Sequence, residues 1–181
     1  MSPSFPKLLQ RIRVPSGFVV AIIYLVFSRP TPITLGCGLA IALIGVLLRA
    51  WASGHLRKSM ELDVSGPYAF TRNPLYLGTF IIAFGFGIAS GSWWLALLAA
   101  VYIGGIYLPV MNVEATVLES RLGEEYKEYA ANVPILIPRP TPWRKSNRRF
   151  DFQLYLKNGE YNAAIGLAVV AAFLAVKAFV L

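Results

Sequence analysis

The sequence predicts an all-α protein: a polytopic transmembrane helical bundle of about five spans, with an amphipathic helix and loops forming a cap on one membrane face. Three observations carry this reading. Of the 181 residues, 56% are hydrophobic and the mean hydropathy is +0.58, too apolar for an ordinary soluble domain. The apolar residues gather into long runs punctuated by Gly, Pro and Ser, without the alternation of half-buried strands. Lys and Arg crowd into segments that a multi-span chain would place on one face. One integral-membrane domain covering residues 1–181 is the natural division.

Residues 14–27 are the first apolar run, short against the about twenty residues that a span usually needs. The run tilts less than usual, extends back through Leu8 and Leu9, or forms half of a tight hairpin. Lys7, Arg11 and Arg13 precede it in the manner of a signal peptide, but Ser28-Arg29-Pro30 follows in place of a small-residue cleavage site. The run is therefore expected to stay. Arg29-Pro30-Thr31-Pro32 breaks it, and residues 33–52 form a full-length span. Gly36, Gly38 and Gly45 in that span predict close helix approach. Arg49, near its end, is expected to snorkel to the interface. Residues 53–74 are polar and hold His55, Arg57, Lys58, Glu61 and Asp63.

A third span covers residues 75–89, spotted with Gly78, Gly85 and Gly87. Ser90-Gly91-Ser92 is a minimal turn, and Trp93-Trp94 suits an interfacial anchor at the start of a fourth span, 93–110. Pro109 is expected to kink that span. From 111 to 131, Val113, Val117, Leu118 and Leu122 recur at helical spacing among charges, so the fourth helix should continue onto the membrane surface as an amphipathic helix. Residues 132–142 are Pro-rich and non-helical, Arg144, Lys145, Arg148 and Arg149 form a basic cluster, and 150–159 predict a short surface helix. Residues 161–181 are a last span, with Lys177 snorkelling near its end.

The net charge of +8 on so apolar a chain points to anionic lipid headgroups rather than nucleic acid. No protein partner can be inferred. The positive-inside rule places the N-terminus and both polar segments, 53–74 and 111–160, in the cytoplasm, making this a multi-pass inner- or plasma-membrane protein if bacterial. The single cysteine, Cys37, reads as a packed structural thiol. One His and scattered carboxylates offer no metal-ligand spacing, and no glycine-rich nucleotide loop follows a strand.

Two polar blocks carry the chemistry. The first is Gly66-Pro67-Tyr68 followed by Arg72-Asn73-Pro74-Leu75-Tyr76-Leu77-Gly78. Gly-Pro marks a turn, and Pro74 can open a helix at Leu75, so Arg72 sits at a chain reversal beside the mouth of an apolar helix. The second comprises Glu114, Leu118, Leu122-Gly123-Glu124-Glu125-Tyr126, Tyr129, Val133-Pro134 and Ile137-Pro138. Together, in order, these resemble the signature of the isoprenylcysteine carboxyl methyltransferase and phospholipid methyltransferase superfamily. The resemblance covers residues 53–140.

The resemblance implies S-adenosylmethionine as cofactor, held by the cap, and a lipidic or prenylated acceptor. It places Met60, Leu62, Tyr68, Asn73, Pro74, Leu75, Tyr76 and Glu114 against the cofactor, with Glu114 at its amino group. Arg72 and Glu114 become the catalytic candidates, Arg72 by handling an anion or fixing its loop. Tyr126 and Tyr129 are expected to pack rather than react. Methyl transfer needs alignment and exclusion of water, and no metal. The chain departs from the superfamily pattern at Asn73 (usually His), Ala115 (usually Glu) and Val110, where the prenylcysteine enzymes carry an Arg for the substrate carboxylate. The donor half of the site matches and the acceptor half does not. A carboxyl O-methyltransferase and a phospholipid N-methyltransferase therefore both fit. A reductase-related protein and a non-catalytic membrane adaptor of the same fold are the other readings.

Overall fold

The computed structural model describes residues 5–57 and 61–180, with side chains described at 12 and from 15 onward. Seven α-helices and one 3-10 turn, with no strand, make up the secondary structure among these residues. Three helices, α2 (Pro32–Ser53), α4 (Trp93–Leu122) and α7 (Tyr161–Phe179), are long and apolar enough to cross a membrane. Two expected spans are shorter. The apolar part of α1 (Phe5–Phe27) is Pro15–Phe27, and α3 is Pro74–Ala89. The first apolar run thus takes the backward extension, since α1 continues helical to Phe5.

The start of α2 is written locally. Thr31 caps it, accepting from the Thr34 amide at 3.2 Å while the Thr34 hydroxyl accepts from the Thr31 amide at 2.9 Å, and Pro32 takes the first turn, where no N–H is needed. Helices α2 and α3 then meet backbone to backbone. A Cβ on Gly45 would lie 2.6 Å from the Gly78 carbonyl oxygen, and one on Gly85 would lie 2.6 Å from that of Gly38. Glycine at four positions, two turns apart on each helix, is what lets these antiparallel helices touch. Gly36, also expected to serve this contact, has open space beside it.

Cys37 follows from the same geometry: with Gly38 turned to α3, its neighbour is exposed rather than packed as expected. Phe18, Ile22, Ile33, Leu47, Val101 and Val169 are likewise exposed apolar side chains, a surface of the kind that suits lipid. Leu35, Ala89 and Leu174 are buried together where α2, α3 and α7 converge.

Helix α4 runs through Pro109 and has 30 residues, about 45 Å at 1.5 Å per residue. That exceeds the roughly 30 Å hydrocarbon core, so the helix is long enough to span one and carry its charged C-terminal portion beyond it. The expected single helix to 131 is in fact two, because Gly123 adopts φ 57°, a backbone that suits glycine. After this break, α5 (Glu124–Asn132) folds back and buries Tyr126, Tyr129 and Val133 against Leu62, Val64, Ala115 and Trp143. The expected surface helix is α6 (Phe152–Lys157), capped by Asp151. Near the end of α7, Lys177 Nζ donates to the Leu25 and Val26 carbonyls at 3.0 Å, closing the end of α1.

Candidate functional site

The two polar blocks fold onto each other at one end of the helices. The Arg72 amide donates to the Pro134 carbonyl at 2.9 Å, the Arg139 amide to Phe70 at 3.0 Å and the Trp143 amide to Ala69 at 2.9 Å. Side chains add to this pairing. The buried Thr71 hydroxyl donates to the Leu136 carbonyl at 3.0 Å, and Asn73 Nδ2 to the Ile135 carbonyl at 2.9 Å. The Tyr129 hydroxyl donates to the Tyr68 carbonyl at 2.8 Å. A loop that satisfies its backbone on another loop is held almost as well as a strand in a sheet. Gly66 opens the 3-10 turn Gly66–Ala69 at φ 55°, and a Cβ there would strike the His55 ring. Both the bare turn and the close approach require glycine.

Between this cap and the helices lies a cavity of about 820 Å³, within the range of small-molecule sites. Tyr68, Arg72, Asn73, Pro74, Leu75 and Tyr76 line it from the first block, and Glu114 from α4. A second cavity of about 220 Å³ shares Tyr68, Arg72, Asn73 and Glu114 with it and adds Leu62, Met111 and Tyr126. Every site residue expected from the sequence is therefore at these two spaces, except Met60, which lies outside the described residues.

The closest link between the blocks is at the centre. The Tyr76 hydroxyl donates to Glu114 Oε1 at 2.7 Å, a short charge-assisted bond. Among the described residues, Arg72 Nε is buried without a hydrogen-bond partner, a costly state unless a ligand completes it. Both cavities are thus lined by the Glu114 carboxyl and by an Arg with an open donor.

Two phenols at the cap are not poised as bases. Burial pushes the Tyr68 and Tyr129 phenols well above their ordinary range, so they stay protonated and act as hydrogen-bond donors. Burial also raises the Asp63 carboxyl, opposed by the Arg57 amide at 2.7 Å and the Arg148 guanidinium at 3.5 Å.

Two departures from the superfamily pattern acquire a location. Ala115 packs in the Tyr126–Tyr129–Val133 cluster, and Val110 is fully buried and lines neither cavity.

The sequence reading missed a second pair. Arg49 lines the larger cavity with Glu160. Its Nε donates to Glu160 Oε2 at 3.0 Å and Nη2 to Oε1 at 2.8 Å, while Nη1 reaches the Thr79 hydroxyl at 2.6 Å and the Leu75 carbonyl at 3.2 Å. Gly78 makes room for it: a Cβ there would lie 2.5 Å from Arg49 Cγ. A lone acid at the entry to the last span was the available signal for a partner 111 residues away.

Residues 33–125 match the phospholipid methyltransferase family. The chain belongs to that family. The match embraces both α2–α3 and the part of α4 that carries Glu114. Among relatives, the nickel-cobalt-cadmium resistance protein NccN of Alcaligenes xylosoxydans xylosoxydans is 33% identical over 115 residues, which are 60% of this chain and 54% of that one. The cobalt-zinc-cadmium resistance protein CzcN of Cupriavidus metallidurans is 30% identical over 167 residues, 80% of this chain and 76% of that one. The protein-S-isoprenylcysteine O-methyltransferase of Schizosaccharomyces pombe is 27% identical over 140 residues, 75% of this chain and 59% of that one. The matched part is thus little more than half the length of two of these relatives. No solved structure matches the chain.

Proposed function

We propose that this phospholipid methyltransferase family member is an integral-membrane, S-adenosylmethionine-dependent methyltransferase acting on a lipidic acceptor. The observation that carries the reading is the Tyr76–Glu114 bond at a cavity also lined by Arg72, whose buried Nε has no hydrogen-bond partner among the described residues. It joins two blocks far apart in sequence around one space. A neighbouring carboxylate and guanidinium suit the ammonium and carboxylate of an amino-acid ligand.

Glu114 binds the donor's ammonium and Arg72 its carboxylate. Tyr68, Asn73, Pro74, Leu75 and Tyr76 form one wall, and Leu62, Met111 and Tyr126 offer an apolar face to the adenine. When bound, S-adenosylmethionine supplies an electrophilic methyl group. The chain's part is to orient the reactants and keep water out, which the buried loop pairing serves. The acceptor's chain lies toward α1 and α4, where Phe18, Ala21 and Tyr107 line the larger cavity.

The positive-inside reading places this face in the cytoplasm, with the basic segment around Arg144 and Arg148 toward anionic headgroups. The family match favours a phospholipid amine as acceptor, and the yeast relative a prenylcysteine carboxylate. Isothermal titration of detergent-purified protein with S-adenosylhomocysteine tests the reading, and saturable binding is expected. Silence in that titration, together with no labelled-methyl transfer to phosphatidylethanolamine or a farnesylcysteine analogue, would remove it.

A further inference from the structure

The larger cavity has two charged ends. One is the Arg72–Glu114 end, which continues into the smaller cavity. The other is the Arg49–Glu160 pair, built from α2 and the entry to α7, which belongs to the larger cavity alone. Among the described residues these four are the charged ones that line the larger cavity, and they sum to zero. The proposed donor carries a sulfonium, an ammonium and a carboxylate, for a net charge of +1. A site that closes around it with no further anion would hold an uncompensated positive charge in a water-poor space, which is strongly unfavourable. The acceptor is therefore expected to bring a negative group.

The Arg49–Glu160 end is constructed to receive one. Arg49 has five N–H donors. Nε and one N–H of Nη2 go to Glu160, and Nη1 goes to Thr79 and Leu75. Among the described residues, the second N–H of Nη2 has no partner. The stem lies against bare Gly78 and the head is tied to both α3 and Glu160, so the guanidinium cannot swing away. The alternative position for a receptor, Val110, carries an apolar side chain that is fully buried.

We infer that Arg49 is the acceptor-headgroup contact of this enzyme, binding an anionic oxygen of a lipid, and that Glu160 is the resident anion with which the acceptor competes. This rests on the methyltransferase reading above. The chemistry is shared by a prenylcysteine carboxylate and a phospholipid phosphate, and the test has an arm for each. The role differs from that of a structural clamp in one measurable respect. If the pair only braced α7 against α2, loss of either partner would weaken the site in the same direction. If Glu160 competes with the acceptor, removing its charge strengthens acceptor binding.

The experiment uses full-length protein in detergent, saturated with S-adenosylhomocysteine so that no turnover occurs. Binding of N-acetyl-S-farnesylcysteine and of phosphatidylethanolamine is measured for wild type, Arg49→Met, Arg49→Lys and Glu160→Gln, with the S-adenosylhomocysteine affinity of each recorded separately. The proposal expects wild type to bind at least one probe, and the probe bound identifies the source of the anion. Arg49→Met should weaken that binding about tenfold or more, the size of one lost charge-assisted contact. Arg49→Lys should recover part of it, and Glu160→Gln should tighten it several-fold. Cofactor affinity should be unchanged in all three variants.

Weakening by both Arg49→Met and Glu160→Gln overturns the inference in favour of a clamp. A parallel loss of cofactor affinity in Arg49→Met overturns it, as does cofactor binding by a wild type that takes neither probe; all three leave the methyltransferase reading standing. Wild type that binds no S-adenosylhomocysteine and transfers no labelled methyl to either acceptor removes both.

Discussion

Helix α3 meets α2 and α4 in opposite ways. Against α2 it makes a close seam in which four glycines bring the backbones together, with Ile82, Ala89 and the stem of Arg49 packed beside them. Toward α4, at the cap, the two helices stand apart around a cavity whose walls carry charge, bridged by the Tyr76–Glu114 bond. The seam is a place where bulk cannot be added, and the cavity is a place where polar groups are kept waiting. The first turn of α3 belongs to both, because Gly78 takes the stem of Arg49 from one side while Tyr76 reaches Glu114 on the other. A rigid seam thus serves as the mount for a site that must admit ligands, and substitutions on the two sides should fail differently.

The largest effect is expected at the seam. Gly85→Val places a Cβ 2.5 Å from the Ala42 amide nitrogen and 2.6 Å from the Gly38 carbonyl oxygen. Both are backbone atoms, so the helices must separate, at a cost of about 3 kcal/mol. Chemical unfolding in detergent should show that loss. Near-wild-type stability would mean that the seam is looser than its geometry.

The converse is expected at the cavity. Glu114→Gln should lower S-adenosylhomocysteine affinity about 30-fold, equivalent to about 2 kcal/mol, while the unfolding midpoint stays within error. A variant that loses stability but keeps affinity would erase the distinction between the two sides.

Tyr129→Phe sharpens the comparison from the cap. It leaves the Tyr68 carbonyl without its 2.8 Å donor, a loss of about 1 kcal/mol. It should also speed hydrogen exchange in residues 66–72 without touching the seam. An exchange pattern that changes equally in α2 would count against independent behaviour.

The smallest effect is a pH dependence. The Asp63 carboxyl is raised in the folded protein, chiefly by burial. The native state therefore holds its proton more tightly than the unfolded chain. The stabilisation this brings is present below the ordinary carboxylate range and is lost as pH rises through the raised value. Cap stability should fall modestly across that window, and Asp63→Asn should flatten the slope. An unchanged slope would assign the dependence to other groups.

Much of this architecture was legible along the chain. Helix starts at Pro32 and Pro74 and the turn at 90–92 are written in local capping and backbone chemistry, which neighbouring residues impose within a few positions. The gathering of Tyr68, Arg72, Asn73, Tyr76 and Glu114 was legible too, though through a family signature rather than through spacing.

Other features were not legible in this way. Arg49 finds a partner 111 residues later and Lys177 finds carbonyls 151 and 152 residues earlier. Cys37 faces outward because Gly38 faces α3. Local propensity cannot encode such facts. A charged side chain in an apolar helix has one inexpensive default, the interface, and only folding decides which counter-charge or open carbonyls it finds within reach. The order of the elements could thus be read from one residue to the next, whereas the pairing of charges across the cavity existed only once four helices had closed around it.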